Sequence, residues 1–200
     1  VLAKEDRQLI DSCLKVYHNT TIDTNRLKAI EFIVESSWDE NVWPKYNQFA
    51  HDLVRSLLMK NKNKEITNKL KVSLASSLNN MGLSYFNQGN IPKALECYHK
   101  GLKIQEELGD KFGMATSYNN IGVIYDNQKD TSLALKYYYK SLASYKDVND
   151  KQGMATSYNN IGVIYDKQMN FSKALENYQN SLAILEDIGN KKGIATALNN

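Results

Sequence analysis

The chain has 200 residues, 42% of them hydrophobic, and a formal net charge of +3. Acids and bases are interspersed and arginine occurs only at Arg7, Arg26 and Arg55, so no basic stripe is available and nucleic acid is not an expected partner. No apolar run approaches the ~18 residues that a membrane span needs, so this region is not expected to touch a membrane directly; no signal peptide is visible, which means little in a chain with trimmed ends. The first residue is Val1 and the last, Asn200, falls inside an expected helix; both ends are read as trimmed.

From Lys4 to Tyr17, the residues Leu9, Ile10, Cys13, Leu14 and Tyr17 form an apolar helical stripe. The polar run Asn19 to Thr24 breaks it, and a second helix carries Leu27, Ile30, Ile33, Val34 and Trp38. Pro44 opens a third, which places Tyr46, Phe49, Ala50, Leu53, Val54, Leu57 and Leu58 on one broad face. Residues 1–62 are expected to be a helical cap with a degenerate hairpin, because a stack of repeats exposes an apolar end unless an atypical unit covers it. The charged joint Asn61 to Glu65 reads as a turn.

Beyond it the chain repeats. Gly113 to Asp126 returns letter for letter as Gly153 to Asp166, forty residues on, with a looser copy upstream and a truncated one from Ala195. Units therefore start near 75, 115, 155 and 195, within an array spanning 63–200. In each, a first helix (helix A) carries Tyr118, Ile121, Gly122 and Tyr125 or their counterparts at i, i+3, i+4, i+7 spacing, on one side. A glycine costs about 1 kcal/mol inside a helix. Its return at Gly82, Gly122 and Gly162 implies the close approach of another backbone. A second helix (helix B) carries Ala94, Ala134 or Ala174, then Tyr98, Tyr138 or Tyr178, then Leu102, Leu142 or Leu182. Gly109, Asn149 and Gly189 suit the left-handed residue that ends a helix, and Asp110, Asp150 and Asn190 suit the N-cap of the next.

Glycine at unit position eight, tyrosine at eleven, alanine at twenty and an aromatic at twenty-four resemble the tetratricopeptide repeat, over roughly residues 66–200. The common unit has about 34 residues; the six extra amount to roughly one and a half helical turns, so longer helices are expected. HEAT and armadillo repeats lack this order of residues. Forty-residue units of this kind are similar to those of Pins-type scaffolds, kinesin light chains, bacterial peptide-sensing regulators and the input domains of bacterial sensor kinases. The resemblance implies an all-α fold, a right-handed α-solenoid of antiparallel helix pairs, whose A helices line a concave groove.

The stripe opposite the core face of helix A would then face that groove: Ser76, Asn80, Leu83 and Asn87 in the first unit, Thr116, Asn120, Val123 and Asn127 in the second, Thr156, Asn160, Val163 and Lys167 in the third. Asn80, Asn120, Asn160 and Asn200 form a ladder, one rung per repeat. A carboxamide has both donors and an acceptor and can grip the amides of an extended peptide whatever its side chains; the competing role is bonding to neighbouring helices. For Asn79, Asn119 and Asn159, on the flank, that competing role leads.

Other residues point elsewhere only weakly. Cys13 and Cys97 form no Cys-x-x-Cys, so neither a zinc site nor a disulfide framework is indicated. His18, His51 and His99 stand far apart without a nucleophile at a meaningful spacing. Tyr137-Tyr-Tyr139 reads as packing between units, and Glu106-Glu107 and Glu186-Asp187 as solvated faces. No metal, cofactor or catalytic residue is expected. The expected partner is a protein or peptide segment, bound by the sensory or interaction region of a larger bacterial signal-transduction protein. A free-standing adaptor is the alternative, and self-association through an exposed C-terminal repeat is a further expectation.

Overall fold

The computed structural model describes residues 11–16, 25, 28, 29, 32, 43–60 and 63–198, and the regular structure among them is all α-helical. The chain divides into two compact units, Val1–Leu108 and Gly109–Asn200. In the first, residues 11–16, 25, 28, 29 and 32 are helical and Ala29 is buried. The other stripe residues expected before Trp43, and the side chains of Tyr46, Phe49 and Ala50, lie outside the described residues.

Three helices follow in that unit: α1 (Trp43–Lys60), α2 (Lys64–Asn87) and α3 (Ile91–Leu108). The turn before α2 ends on Asn63, whose Oδ1 accepts the N–H groups of Glu65 at 2.9 Å and Ile66 at 3.2 Å. This cap satisfies two of the donors a helix start leaves open. Val54 and Leu57 of α1 pack on Leu70 of α2, with Leu53, Leu58, Ile66 and Leu74 around them.

The second unit holds α4 (Lys111–Asn127), α5 (Thr131–Asp147), α6 (Lys151–Lys167), α7 (Phe171–Asp187) and α8 (Lys191–Leu198). The helices α4 to α7 have 17 residues each, and three-residue turns between them complete the forty-residue period. The extra length over the common unit therefore sits in the helices, as expected.

The turns are built from local chemistry. Gly109, Asn149 and Gly189 adopt positive φ (69°, 53° and 66°), and so do Lys129 and Met169 (62° and 58°). At each of α5 and α7 the residue after the left-handed one returns its N–H to a carbonyl in the last turn: Asp150 to Tyr145 at 3.0 Å and Asn190 to Leu185 at 2.9 Å. The same side chains then cap the next helix, Asp150 Oδ1 accepting from Gly153 N–H and Asn190 Oδ1 from Gly193 N–H.

Helix A meets helix B through small residues. Ala115 and Ala155 are fully buried, and the hydroxyls of Ser141 and Ser181 donate to their carbonyls at 2.9 and 2.8 Å. At Gly82, Gly122 and Gly162 the approaching group is a side chain and not a backbone. A β-carbon there would stand 2.6 to 2.7 Å from the rings of Tyr98, Tyr138 and Tyr178 respectively. The core face of helix A is also wider than the expected stripe: Ser117, Ile121 and Ile124 are fully buried, as are Ser157, Ile161 and Ile164. Each of those isoleucines contributes about 1.5–3 kcal/mol by leaving water.

Candidate functional site

The residues of the outer stripe of helix A differ in exposure and in what they hold. In the first unit Asn80 is half-buried on α2, between exposed Ser76 and the exposed pair Leu83 and Asn87. In the second unit α4 presents half-buried Thr116, Asn120 and Val123, followed by exposed Asn127. The matching residues of α6 are exposed Thr156, half-buried Asn160 and Val163, and exposed Lys167. Asn200 lies outside the described residues.

Several of these side chains are engaged within the protein. Asn160 Nδ2 donates to Asn119 Oδ1 at 2.9 Å, which joins a ladder residue of α6 to a flank residue of α4. Lys167 Nζ lies 2.6 Å from Asp126 Oδ1 and forms a second tie between the same two helices. Asn127 Nδ2 donates to the Val123 carbonyl, and Thr156 to that of Gln152. The Thr116 hydroxyl donates to the Phe112 carbonyl and lies 3.3 Å from the Tyr145 phenol. Val123 packs against the cluster around Tyr138, Ile161 and Ile164. The carboxamides of Asn80 and Asn120 have no such partner among the described residues.

Thus the stripe splits into two kinds of group. One kind fastens consecutive A helices together. The other leaves amide hydrogen-bonding capacity beside apolar Leu83 or Val123. The Asn119 to Asn160 bond gives the flank residue Asn119 the interhelix role expected of it and Asn160 the competing role, through the Asn-Asn doublet that returns at 79–80, 119–120 and 159–160.

The triple tyrosine divides between roles. Tyr138 is in the core at 2% exposure. Tyr139 reaches the next repeat, its hydroxyl 3.2 Å from that of Tyr165. Tyr137 instead packs on its own repeat, stacked on Tyr125 at 5.5 Å and tilted on Tyr118 at 6.2 Å. Glu107 and Asp187 are exposed and paired with Lys71 and Lys151. His51 lies beside Asp52, His99 is exposed, and His18 lies outside the described residues. Among the described residues no three His, Cys, Asp or Glu side chains gather where a metal could sit, and no helix is long and apolar enough to cross a membrane.

Paired helices set down at a constant interval, with core side chains turned one way and amide-bearing side chains the other, define a helical-repeat interaction scaffold. Tetratricopeptide repeat models match residues 73–147 and 155–187, together more than half of the chain, and the chain belongs to the tetratricopeptide repeat family. That repeat is in general a non-catalytic protein-interaction module.

The fold is similar to BtubC (BKLC) from P. vanneervenii, with 19% identity, a TM-score of 0.63, and coverage of 98% of this chain and 89% of that one. It is also similar to aspartyl phosphate phosphatase F from Bacillus subtilis, with 15% identity, a TM-score of 0.75, and coverage of 96% and 52%. A Rap protein complexed with competence and sporulation factor gives 16% identity, a TM-score of 0.68, and coverage of 96% and 53%. The chain thus spans about half the length of the last two. At these identities the likeness is one of fold. No curated protein sequence matches the chain.

Proposed function

We propose that the chain binds an extended peptide segment of a partner protein along the outer stripe of its A helices, with residues 1–62 as the cap. The observation that carries this reading is a half-buried carboxamide at the same repeat position in each unit, Asn80 in the first and Asn120 in the second, each without a partner among the described residues and beside an apolar neighbour. Asn160 keeps acceptor capacity and a second N–H after its bond to Asn119. Thr116, Val123, Asn127, Thr156, Val163 and Lys167 make up the rest of the surface, with Leu83 and Asn87 in the first unit.

The test is a peptide selected from a displayed library for binding to the whole chain, then measured against an Asn120→Ala/Asn160→Ala variant whose helix content is verified by circular dichroism. Two lost hydrogen bonds, each worth about 0.5–1.5 kcal/mol net, weaken binding about tenfold. Unchanged affinity rejects this reading.

The wider context we propose is the sensory or interaction region of a bacterial signal-transduction protein, with a free-standing adaptor as the alternative. The fold likeness to a Rap protein in complex with competence and sporulation factor supports the first. The coding sequence on either side of this chain decides between them, since a kinase, cyclase or DNA-binding domain would establish the first and further repeats the second.

A further inference from the structure

In the first unit a cleft of about 560 Å³ lies between α1 and α3, over α2. Its floor is Leu74, Leu78, Met81 and Tyr85, spaced i, i+4, i+7, i+11 along one stripe of α2. Leu78 and Asn80 are two residues apart, about 200° around the helix, so the cleft opens on the side away from the proposed peptide stripe. Its long wall follows α3 from Lys93 to Glu107, roughly 20 Å at the rise of an α-helix.

The rim is cationic. Arg55 comes from α1, and Lys93, Lys100 and Lys103 from α3. The two carboxylates on that wall are bonded, Glu96 by Lys100 and Glu107 by Lys71 at 2.9 Å from outside the cleft, and they also attract Lys93 and Lys103 respectively, as Asp52 attracts Arg55 on α1, so the cations remain in excess but not unopposed. The Lys93 ammonium lies 5.3 Å from the Tyr85 ring centre. Glu96 holds the proton on Lys100 more firmly than usual, while Arg55 works against it from the opposite wall. Like charges therefore face each other across an apolar floor, an arrangement that an anionic occupant relieves.

The counterpart in the second unit, a cleft of about 450 Å³ between α5 and α7 over α6, lacks this character. There the Tyr139 and Tyr165 hydroxyls tie wall to floor, and the cations are only Lys146 and Lys173, facing Glu176.

We propose that the cleft between α1 and α3 docks an acidic amphipathic helix of a partner protein, its apolar stripe on α2 and its carboxylates on Arg55, Lys93 and Lys103. The floor's helical spacing suits the ridges of a helix laid along it, and the wall accommodates about four turns. Arg55 offers a planar fork that pairs with a carboxylate in bidentate fashion.

The probe is a fluorescein-labelled helical peptide of about four turns, with leucines on one stripe and glutamates elsewhere; the control replaces every glutamate by lysine. Fluorescence anisotropy with the whole chain is expected to show binding of the glutamate peptide only, weakened by added salt. The Arg55→Glu/Lys103→Glu variant, folded by circular dichroism, is expected to bind at least about tenfold more weakly, and Asn120→Ala/Asn160→Ala to bind as before. Equal binding of the lysine peptide, no binding of the glutamate peptide, or a charge-reversed variant that binds unchanged overturns the proposal. None of these results touches the peptide stripe, which lies on the other face of helix A.

Discussion

The ring of Tyr138 occupies the space that a side chain on Gly122 would need: a β-carbon there would stand 2.7 Å from two of the ring's carbons. In an open helix, replacing glycine by alanine gains about 1 kcal/mol. Here the ring is 2% exposed and has nowhere to go, so overpacking, at about 1–3 kcal/mol, wins. Gly122→Ala is expected to lower the urea midpoint, and Tyr138→Leu to absorb part of that cost when the two are combined. A Gly122→Ala protein more stable than its parent would falsify this account of the repeat's glycine.

The Ser141 and Ser181 hydroxyls fasten helix B to helix A at fully buried alanine carbonyls. Ser141→Ala and Ser181→Ala are each expected to cost about 0.5–1.5 kcal/mol in denaturant unfolding. Their effects should add, since no partner is shared.

Asn120 and Asn160 stand at the same place in identical stretches, but only the second is bonded, to Asn119. Asn160→Ala is therefore expected to cost about 0.5–1.5 kcal/mol of stability, while Asn120→Ala stays within about 0.5 kcal/mol of the parent. Thermal unfolding of the two single variants distinguishes a fastening amide from one left for a ligand. Equal losses would contradict the assignment.

Alkali should open the structure. Burial pushes the Tyr98 and Tyr138 phenols well above their ordinary 10.0, with the neighbouring Cys97 and Asp126 adding to the effect. A folded-state value above the unfolded one favours the neutral phenol, so this stabilisation is complete below about pH 10 and is lost as pH rises beyond it. Stability is expected to fall steeply above pH 10, with phenolate absorbance of the buried tyrosines appearing together with loss of helix and not before it. On the acid side, hydrogen bonds from Lys100 and Lys71 hold Glu96 and Glu107 below their ordinary 4.5. That contribution is present above 4.5 and lost as pH falls, but both carboxylates are exposed to solvent, so the loss is small.

What could be read from the letters was what depends on a few neighbours along the chain. Gly109, Asn149 and Gly189 end helices, and Asp110, Asp150 and Asn190 begin them, because left-handed φ and capping are local demands. The centre of each buried face followed from spacing, but not its width, since Ser117 and Ile124 are buried beside the expected stripe. Contacts between helices were harder to see. Gly122 announced a close approach but not that a ring makes it, and nothing in Lys129 or Met169 advertises a positive φ. Thr116 and Thr156 share one sequence context, yet only Thr116 meets a phenol, because Tyr145 on helix B is replaced by Leu185 forty residues later. For the candidate site, the stripe was legible as a direction on the helix. Which of its amides were already committed depended on the neighbouring helix, and that no single unit records.

The stretch from Gly113 to Asp126 is chemically the same polymer as that from Gly153 to Asp166, so its side chains cannot tell α4's seat from α6's. The choice is left to the few residues that differ at the helix ends, such as Phe112 on Tyr145 and Gln152 on Asn190, and to the three-residue connections that keep each helix next to the partner that follows it. Shortening the turn between Asp147 and Lys151 would keep α6 from folding back on its own α5, and two molecules refolding at high concentration can then trade equivalent helices and emerge as an interlocked pair.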